Sequence, residues 1–206
     1  MYRYHRPVLV ALFCGSTGLR SANRATLDAA EAALRRLGHQ PVHCASLRDI
    51  PIFEPEVADA PQPVLSLREQ FETCSAALVA VPEYGGGVAG WAKNALDWMV
   101  GSGSLYGRAV AVTSAGTTGG GHAIEQLART LTWQGAFVVG TLGISSPRTK
   151  SDTSGRLTDA VTLHQIDTLV DRLVAAADGP DDTRRRFRAE VLGRLHIDPD
   201  DRRPPS

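Results

Sequence analysis

Three short segments of the sequence concentrate the residue types that bind small ligands. They are rich in glycine and hydroxyl side chains, and they comprise residues 14–23 (CGSTGLRSAN), 81–87 (VPEYGGG) and 114–122 (SAGTTGGGH). Exposed N–H groups and hydroxyls donate hydrogen bonds to anions and heterocycles, and glycine lets a ligand approach the main chain closely. The sequence carries no HExxH or similar histidine pair and no paired acids of a glycosidase, so ligand binding is the indicated chemistry.

The first segment has the composition of a phosphate site. Ser16 and Thr17 carry hydroxyls, and Ser21 and Asn23 stand where a helix is expected to start, so N–H groups and the helix dipole favour negative charge there. Capping of the helix by Ser21 and Asn23 is an open alternative, since the same atoms can serve both purposes. The segment matches neither GxxxxGK[ST] nor GxGxxG, so the sequence gives no support to a P-loop kinase or to a standard dinucleotide-binding motif.

The second segment predicts a slot for a flat ligand. Glycines at 85–87 tolerate positive φ and close approach, and Tyr84 can supply an aromatic wall. A glycine-rich turn into the next helix is the alternative interpretation. Glu83 is disfavoured as a general base because the sequence shows no partner for it. Trp91 and Trp98 are interpreted as core or subunit-contact residues.

The third segment predicts backbone donors for the polar edge of a heterocycle. It lacks the lysine of a P-loop, and Val112 stands where a GxSxG motif needs glycine, which disfavours Ser114 as a hydrolase nucleophile. His122 is interpreted as a helix-start residue rather than a catalyst.

Alternating strands and helices position the three segments. Uninterrupted apolar runs indicate strands covered on both faces, and apolar side chains at helical spacing indicate helices. Strands are predicted at 8–13, 41–44, 76–81, 109–113 and 136–142, and helices at 23–37, 63–74, 91–99, 123–134 and 158–177. This alternation predicts an α/β three-layer sandwich with a five-stranded parallel sheet and helices on both faces. Ligands bind at the carboxyl ends of such strands, so the three segments are expected to meet at one edge of the sheet.

The last part of the chain is predicted to extend this domain. Residues 1–178 form the predicted ligand-binding domain, and residues 179–206 a helical extension with a frayed tail from His196 onward. The basic run 184–188 (RRRFR) is interpreted as a solvated helix face, with an anion or partner contact as the alternative.

Composition limits the classes of partner. The chain has 206 residues, of which 43% are hydrophobic and 21% charged, as expected for one soluble globular domain. Lys and Arg together number 22, as do Asp and Glu, so neither nucleic acid nor an anionic membrane is indicated. The N-terminal apolar run ends at Gly15, too short for a signal peptide, and a cytoplasmic location is expected. Cys14, Cys44 and Cys74 are odd in number and form no CxxC pair, so they are predicted to be buried thiols.

Residues 82–98 (PEYGGGVAGWAKNALDW) carry a longer signature. They resemble the P-E-Y-N-G-x-x-P-G-x-x-K-N-A-[IL]-D-W signature of the NADPH-dependent FMN reductase family. The first segment is similar to the family's G-S-x-R-x-x-S-x-N phosphate motif, and the resemblance covers roughly residues 8–177. Gly18, Gly85 and Ala89 stand where that family usually has Arg, Asn and Pro.

The resemblance implies a flavodoxin-like fold with strand order 2-1-3-4-5, FMN as cofactor and NADPH or NADH as hydride donor. The first segment would hold the FMN phosphate, the second the ribityl chain and ring, and the third the pyrimidine edge. The implied cofactor-binding residues are Ser16, Arg20, Ser21, Ala22, Asn23, Pro82, Glu83, Tyr84, Gly85, Gly86, Ser114, Gly116, Gly119 and Gly120. No catalytic side chain and no metal ligand is expected, because the flavin carries the redox chemistry. A homodimer or tetramer with the flavin near a subunit boundary is also implied.

The predicted function is that of an FMN-dependent NAD(P)H oxidoreductase, which passes hydride to bound flavin and then to a quinone-like or other small-molecule acceptor. A free-FMN reductase supplying a monooxygenase is the nearest alternative. A flavodoxin-like electron carrier, which the near-neutral charge disfavours, and a flavin-fold binding protein without FMN also stay open.

Overall fold

A computed structural model describes residues 6–18 and 20–198 and shows a five-stranded parallel sheet between two layers of helices. The strands are β1 (Leu9–Cys14), β2 (Gln40–His43), β3 (Ala76–Ala80), β4 (Glu83–Tyr84), β5 (Gly87–Val88), β6 (Ala109–Gly116) and β7 (Phe137–Ser145). The order in the sheet is β2-β1-β3-β6-β7, while β4 and β5 pair with each other in a separate antiparallel ribbon. Counting the sheet strands alone, this is the predicted order 2-1-3-4-5.

Helices connect the strands. They are α1 (Ala22–Arg36), α2 (Gln62–Thr73), α3 (Gly90–Val100), α4 (Gly121–Trp133), α5 (Ala160–Asp178) and α6 (Asp181–Arg194), with short 3₁₀ helices at Leu47–Asp49 and Pro147–Lys150. Each strand and each α-helix predicted from the sequence is confirmed, with ends that shift by up to three residues. The ribbon of β4 and β5 was predicted as a loop, because two-residue strands are too short to show alternation.

Successive residues of the buried strands feed two separate cores. In β1, Val10 and Leu12 pack beneath α1 and α5, whereas Ala11 and Phe13 pack beneath α2, α3 and α4. Side chains alternate between the faces of a strand, so a strand covered on both faces must be apolar throughout. This explains why the sequence shows uninterrupted apolar runs.

Helix α1 illustrates how local sequence sets the ends of an element. Ser21 occupies the N-cap, and its Oγ accepts the N–H of Asn23 at 3.2 Å. Leu27 and Leu34 form part of the buried face, and Gly38 adopts φ +81° just beyond the last turn, as helix termination favours.

Helix α6 lies along the free edge of β7. Its residues Val191 and Leu192 are buried in the core on the α2–α4 side of the sheet. From α5, the Arg172 guanidinium donates to the carbonyl oxygens of Val139 in β7 and Phe187 in α6. The open edge of a sheet is a site of unwanted pairing, and α6 protects this one.

Two expectations for the C-terminal region change. The run 184–188 is not wholly solvated, because the guanidinium of half-buried Arg184 donates to the Gly107 carbonyl at 2.7 Å. The tail expected from His196 is wrong in its first residues, since Ile197 is 4% exposed and packs into the core. The rest of that expectation, at residues 199–206, lies outside the described residues.

The three cysteines are free thiols. Cys74 is buried as predicted, but Cys14 and Cys44 are only partly covered. Desolvation, and secondarily the neighbouring Cys74, raises the pKa of Cys44 to about 12.

Across residues 6–18 and 20–198, no helix is both long and apolar enough to cross a lipid bilayer. The same part of the chain contains no group of three or more His, Cys, Asp or Glu side chains arranged to hold a metal ion.

Candidate functional site

The three glycine-rich segments meet at the carboxyl edge of the sheet. They follow β1, β3 and β6, which are neighbours in the sheet. The chain leaves β1 toward β2 on one side and β3 toward β6 on the other, so the crevice between β1 and β3 is the topological switch point. The first, second and third loops are defined here as residues 15–21, 82–88 and 114–120.

The first loop offers unpaired donors to an anion. The backbone N–H groups of Ser16, Thr17, Arg20 and Ser21 form no hydrogen bond to any described residue, and the N–H of Ala22 opens α1. Two side chains shape the loop, since Ser16 Oγ accepts the Gly18 N–H at 3.3 Å and Ser21 Oγ caps α1. A helix N-terminus with free N–H groups favours a phosphate at this place.

Asn23 links the first loop region to the third. Its side chain is 2% exposed, with Oδ1 accepting the Ala115 N–H at 2.9 Å and Nδ2 donating to the Ala115 carbonyl at 3.3 Å. The N–H and C=O groups of Ala115 in β6 face the side of the strand where β3 has already ended. The Asn23 amide pairs with them in place of a strand neighbour. Its binding to phosphate, through the second N–H of Nδ2, stays a prediction.

The second loop is the ribbon of β4 and β5. Gly85 and Gly86 form its two-residue turn with φ values of +59° and +75°, which two consecutive glycines accommodate without strain. Open space surrounds the position of a Cβ at either glycine, so the turn presents bare main chain. Pro82 is buried at the base of the ribbon, and Tyr84 is exposed at its edge.

Two side chains fasten the ribbon to α4. Glu83 Oε2 accepts the N–H of Ala123 in the first turn of α4 at 3.0 Å, and Gln126 Oε1 accepts the Val88 N–H at 2.7 Å. The partner of Glu83 that the sequence did not reveal is therefore a helix N-terminus, where a carboxylate is stabilised by the dipole. Glu83 positions the ribbon, and the geometry gives it no proton to move.

The third loop is shaped by close packing around Ser114. Ser114 is completely buried and its Oγ has no hydrogen-bond partner among the described residues, as is also true of Thr113 Oγ1. A Cβ at Gly120, which has φ +69°, would lie 2.0 Å from Ser114 Oγ. The Ser114 hydroxyl is therefore packed against Gly120 inside the loop, and a cofactor-binding role for Ser114 stays a prediction.

The main chain of the third loop is more accessible. The N–H groups of Gly120, Gly121 and His122 form no hydrogen bond to any described residue. Open space surrounds a Cβ position at Gly116, and Gly119 turns the chain with φ +88°. These groups can meet the polar edge of a heterocycle, as the sequence predicted.

Trp91, in the first turn of α3, contacts the other two loops. Its Nε1 donates to the Gly15 carbonyl at 2.7 Å, and its ring meets that of Tyr84 edge-on with centroids 5.6 Å apart. The sequence-based prediction missed this contact and Gln126, because residues 76 and 38 positions apart in the chain give no local signal.

Arg20 stands at the outer margin of the first loop. Its side chain is exposed. It lines a groove of about 650 Å³ between α1 and α5, shared with Arg24 and Arg156. The long, flexible side chain of Arg20 can turn its guanidinium toward a phosphate at the helix N-terminus.

Comparison with known proteins decides the family. The model of the NADPH-dependent FMN reductase family matches residues 8–150. The chain belongs to this family. Membership implies FMN and NAD(P)H as the cofactor and the reductant.

Relatives of this FMN reductase family member agree with that assignment. The NAD(P)H-dependent FMN reductase ntnL of Nectria sp is 34% identical over 92 residues, which cover 40% of this chain and 45% of that protein. The chain thus spans less than half the length of that curated relative. The solved structure of FerB, a flavoenzyme NAD(P)H:(acceptor) oxidoreductase from Paracoccus denitrificans, is 26% identical with a TM-score of 0.65, covering 81% of this chain and 97% of FerB.

Two more distant structures support the fold alone. The NADH:FMN oxidoreductase EmoB is 17% identical with a TM-score of 0.62, over 86% of this chain and 94% of EmoB. A flavodoxin of Streptococcus pneumonia TIGR4 is 15% identical with a TM-score of 0.56, over 81% and 97% of the two chains.

The residues of this family member fit FMN. Free N–H groups at the start of α1 suit the phosphate, and the open main chain at Gly85, Gly86 and Gly116 leaves room for a flat ring system. Tyr84 supplies an exposed aromatic face beside that room. Position 18 of the first loop is a glycine rather than the family's arginine, so the phosphate would rely on backbone donors, hydroxyls and Arg20.

Proposed function

We propose that the protein is an FMN-dependent NAD(P)H oxidoreductase that delivers electrons to a quinone-like or other small-molecule acceptor. The observation that carries the proposal is that side chains hold three glycine-rich loops together at one switch point. Asn23, at the start of α1, hydrogen-bonds to the third loop, and Glu83 joins the second loop to α4. Trp91 hydrogen-bonds to the first loop and contacts the second through the ring of Tyr84. The site is held in shape before a ligand arrives, which favours affinity.

The protein's own contribution is binding and orientation. FMN, when bound, supplies the hydride-accepting chemistry. The start of α1 would hold the phosphate, the ribbon would support the ring, and the N–H groups at the start of α4 would face the polar edge of the ring. Donors and a helix dipole at that edge stabilise negative charge that develops there on reduction. No side chain is required as acid, base or nucleophile.

The test is a visible spectrum of the protein with FMN, recorded before and after anaerobic NADPH and then NADH. We expect the flavin absorbance to bleach with at least one nicotinamide and to return when benzoquinone is added. Glu83→Gln, which keeps an acceptor for the Ala123 N–H, should bleach at a rate within about threefold of the wild type, because no proton passes through Glu83. Bound flavin that neither nicotinamide bleaches would refute the reductase and favour an electron carrier.

A second candidate is a free-FMN reductase, in which FMN leaves during turnover. It is favoured by Gly18, which leaves the middle of the first loop without a charged side chain for the phosphate. Gel filtration of the reduced protein separates the two activities. Flavin that elutes with the protein supports the bound-cofactor oxidoreductase, and flavin that elutes as a small molecule supports the free-FMN reductase.

We also propose that the protein forms a homodimer, or a tetramer built from it, in the cytoplasm. Val100, Tyr106 and Trp133 are exposed around a depression of about 570 Å³ beside α3 and α4, and such apolar surface is typical of an interface. Light scattering should give twice the monomer mass or a multiple of it. Tyr106→Glu, at a residue 73% exposed, should shift the mass toward the monomer without unfolding the protein. A monomeric wild type at high concentration contradicts the proposal.

A further inference from the structure

Trp91 lies between the two loops that a bound FMN would span. Gly15 begins the first loop, and its carbonyl oxygen accepts the Trp91 indole N–H at 2.7 Å. Tyr84 ends β4 in the ribbon, and its ring contacts that of Trp91 at an interplanar angle of 63°. One side chain thus touches the loop suited to the phosphate and the loop suited to the ring.

Close packing and a hydrogen bond fix the position of Gly15. A Cβ at Gly15 would lie 2.6 Å from Val81 Cγ1 and 3.1 Å from Ala92 Cβ, so the first loop presses directly on the end of β3 and the first turn of α3. The Gly15 N–H is also fixed, since it donates to the Ala80 carbonyl at 2.7 Å. The Gly15 carbonyl is therefore a rigid acceptor, and the indole that binds it is held in place.

The loops themselves supply little rigidity across the gap. The ribbon turns through Gly85 and Gly86, whose Cβ positions have open space around them, and in the first loop Gly18 meets only the Ser16 hydroxyl of its own loop. Glycine has more backbone freedom than any other residue. Glu83 and Gln126 fasten the ribbon to α4 without contacting the first loop. Trp91 on α3 touches both loops and is placed to set the spacing between them.

We propose that Trp91 is a positioning residue for FMN, which fixes the distance between the phosphate-binding first loop and the ring-binding ribbon. The proposal rests on the proposed function. It predicts that Trp91 affects the affinity only of a ligand that engages both loops at once, because only such a ligand depends on their spacing. FMN is such a ligand, whereas inorganic phosphate engages only the first loop, and riboflavin, which lacks the phosphate, engages the ribbon and the third loop but not the first.

The experiment compares Trp91→Phe and Trp91→Val with the wild type. FMN and riboflavin affinities are measured by flavin fluorescence on the apoprotein, and the affinity for inorganic phosphate by its competition with FMN. Trp91→Phe keeps an aromatic ring against Tyr84 but loses the donor, so FMN should bind about fivefold more weakly. Trp91→Val loses both contacts, and FMN should bind at least tenfold more weakly, while riboflavin and phosphate each change by less than twofold.

Trp98 provides a matched control on the same helix. Its Nε1 donates to the Pro51 carbonyl at 2.9 Å and its ring meets that of Phe53 edge-on at 5.1 Å, which is the same pair of contacts made away from the loops. Trp98→Phe should lower the unfolding temperature and leave FMN affinity within twofold of the wild type. This control separates a loss of stability from a loss of loop spacing.

The outcomes divide cleanly. Selective weakening of FMN by the Trp91 variants, with partial rescue by phenylalanine, supports the positioning role. Equal weakening of FMN, riboflavin and phosphate, or unchanged FMN affinity in Trp91→Val, overturns it while leaving the proposed function intact. Failure of the wild type to bind FMN at all overturns the proposed function and this inference with it.

Discussion

The role of Asn23 gives the sharpest test of how the site is built. The substitution Asn23→Leu keeps a side chain of similar size but removes both hydrogen bonds to Ala115. The N–H and C=O of Ala115 then lose their partners beside the end of β3. An unsatisfied buried polar group costs about 1–3 kcal/mol, so the loss of partners for both groups should lower the free energy of unfolding by about 2–6 kcal/mol.

Urea denaturation measures this loss, and FMN titration of the folded protein measures the effect on binding. The comparison variant is Ser21→Ala, which removes the cap of α1 and should cost about 1 kcal/mol of stability. We expect Ser21→Ala to weaken FMN binding severalfold, since the Ser21 O–H is free to donate to a phosphate. Asn23→Leu should also weaken it, but by less than tenfold, because the join to the third loop is lost while the donors of the first loop stay in place. A stable Asn23→Leu protein with FMN binding weakened tenfold or more would show that Asn23 is a phosphate ligand and refute the reasoning.

Three further predictions concern other parts of the molecule. Gly120→Ala should lower the free energy of unfolding, measured by urea denaturation, by at least about 2 kcal/mol, because a Cβ there would lie 2.0 Å from Ser114 Oγ and φ is +69°. Adding Ser114→Gly to this variant should restore part of the lost stability. Hydrogen bonds from the Ser154 hydroxyl and then from backbone N–H groups lower the pKa of Asp152 from 3.8 to about 2. The stability that these hydrogen bonds give to the ionised carboxylate is present above pH 4 and is lost as the pH falls toward 2. Asp152→Asn should therefore flatten that part of the acid denaturation curve. Cys44 has a pKa of about 12 against 9.0 for a free thiol, and therefore roughly a thousandfold less thiolate at pH 8. Iodoacetamide, followed by mass spectrometry, should label it far more slowly in the native than in the urea-unfolded protein, and equal rates would contradict the raised pKa.

Most of the fold follows from local patterns in the sequence. The apolar run of β1 and the helical spacing of Leu27 and Leu34 in α1 reflect burial on two faces and on one face, and both patterns are visible without a structure. The ribbon was missed, although two consecutive glycines between short segments are a known hairpin signal. The burial of Ile197 was missed because one apolar residue in a polar tail has no periodicity.

The ligand-binding character of the site was also predictable, but the work of individual side chains was not. Glycines and hydroxyls after alternating strands must gather at one edge of a parallel sheet, so the sequence by itself determined that the three loops meet there, and it predicts a ligand site in which the first loop suits an anion. The partners of Asn23, Glu83 and Trp91 lie 92, 40 and 76 positions away in the chain.

These contacts were decided only by the tertiary structure. The type of a polar residue states which hydrogen bonds it can make, whereas its partner depends on which main-chain groups the fold leaves unpaired beside it. Asn23 was therefore recognisable as a polar residue at the start of a helix, but the early end of β3 made it the partner of Ala115. Local chemistry set the kind of site, and long-range packing set which side chains hold it together.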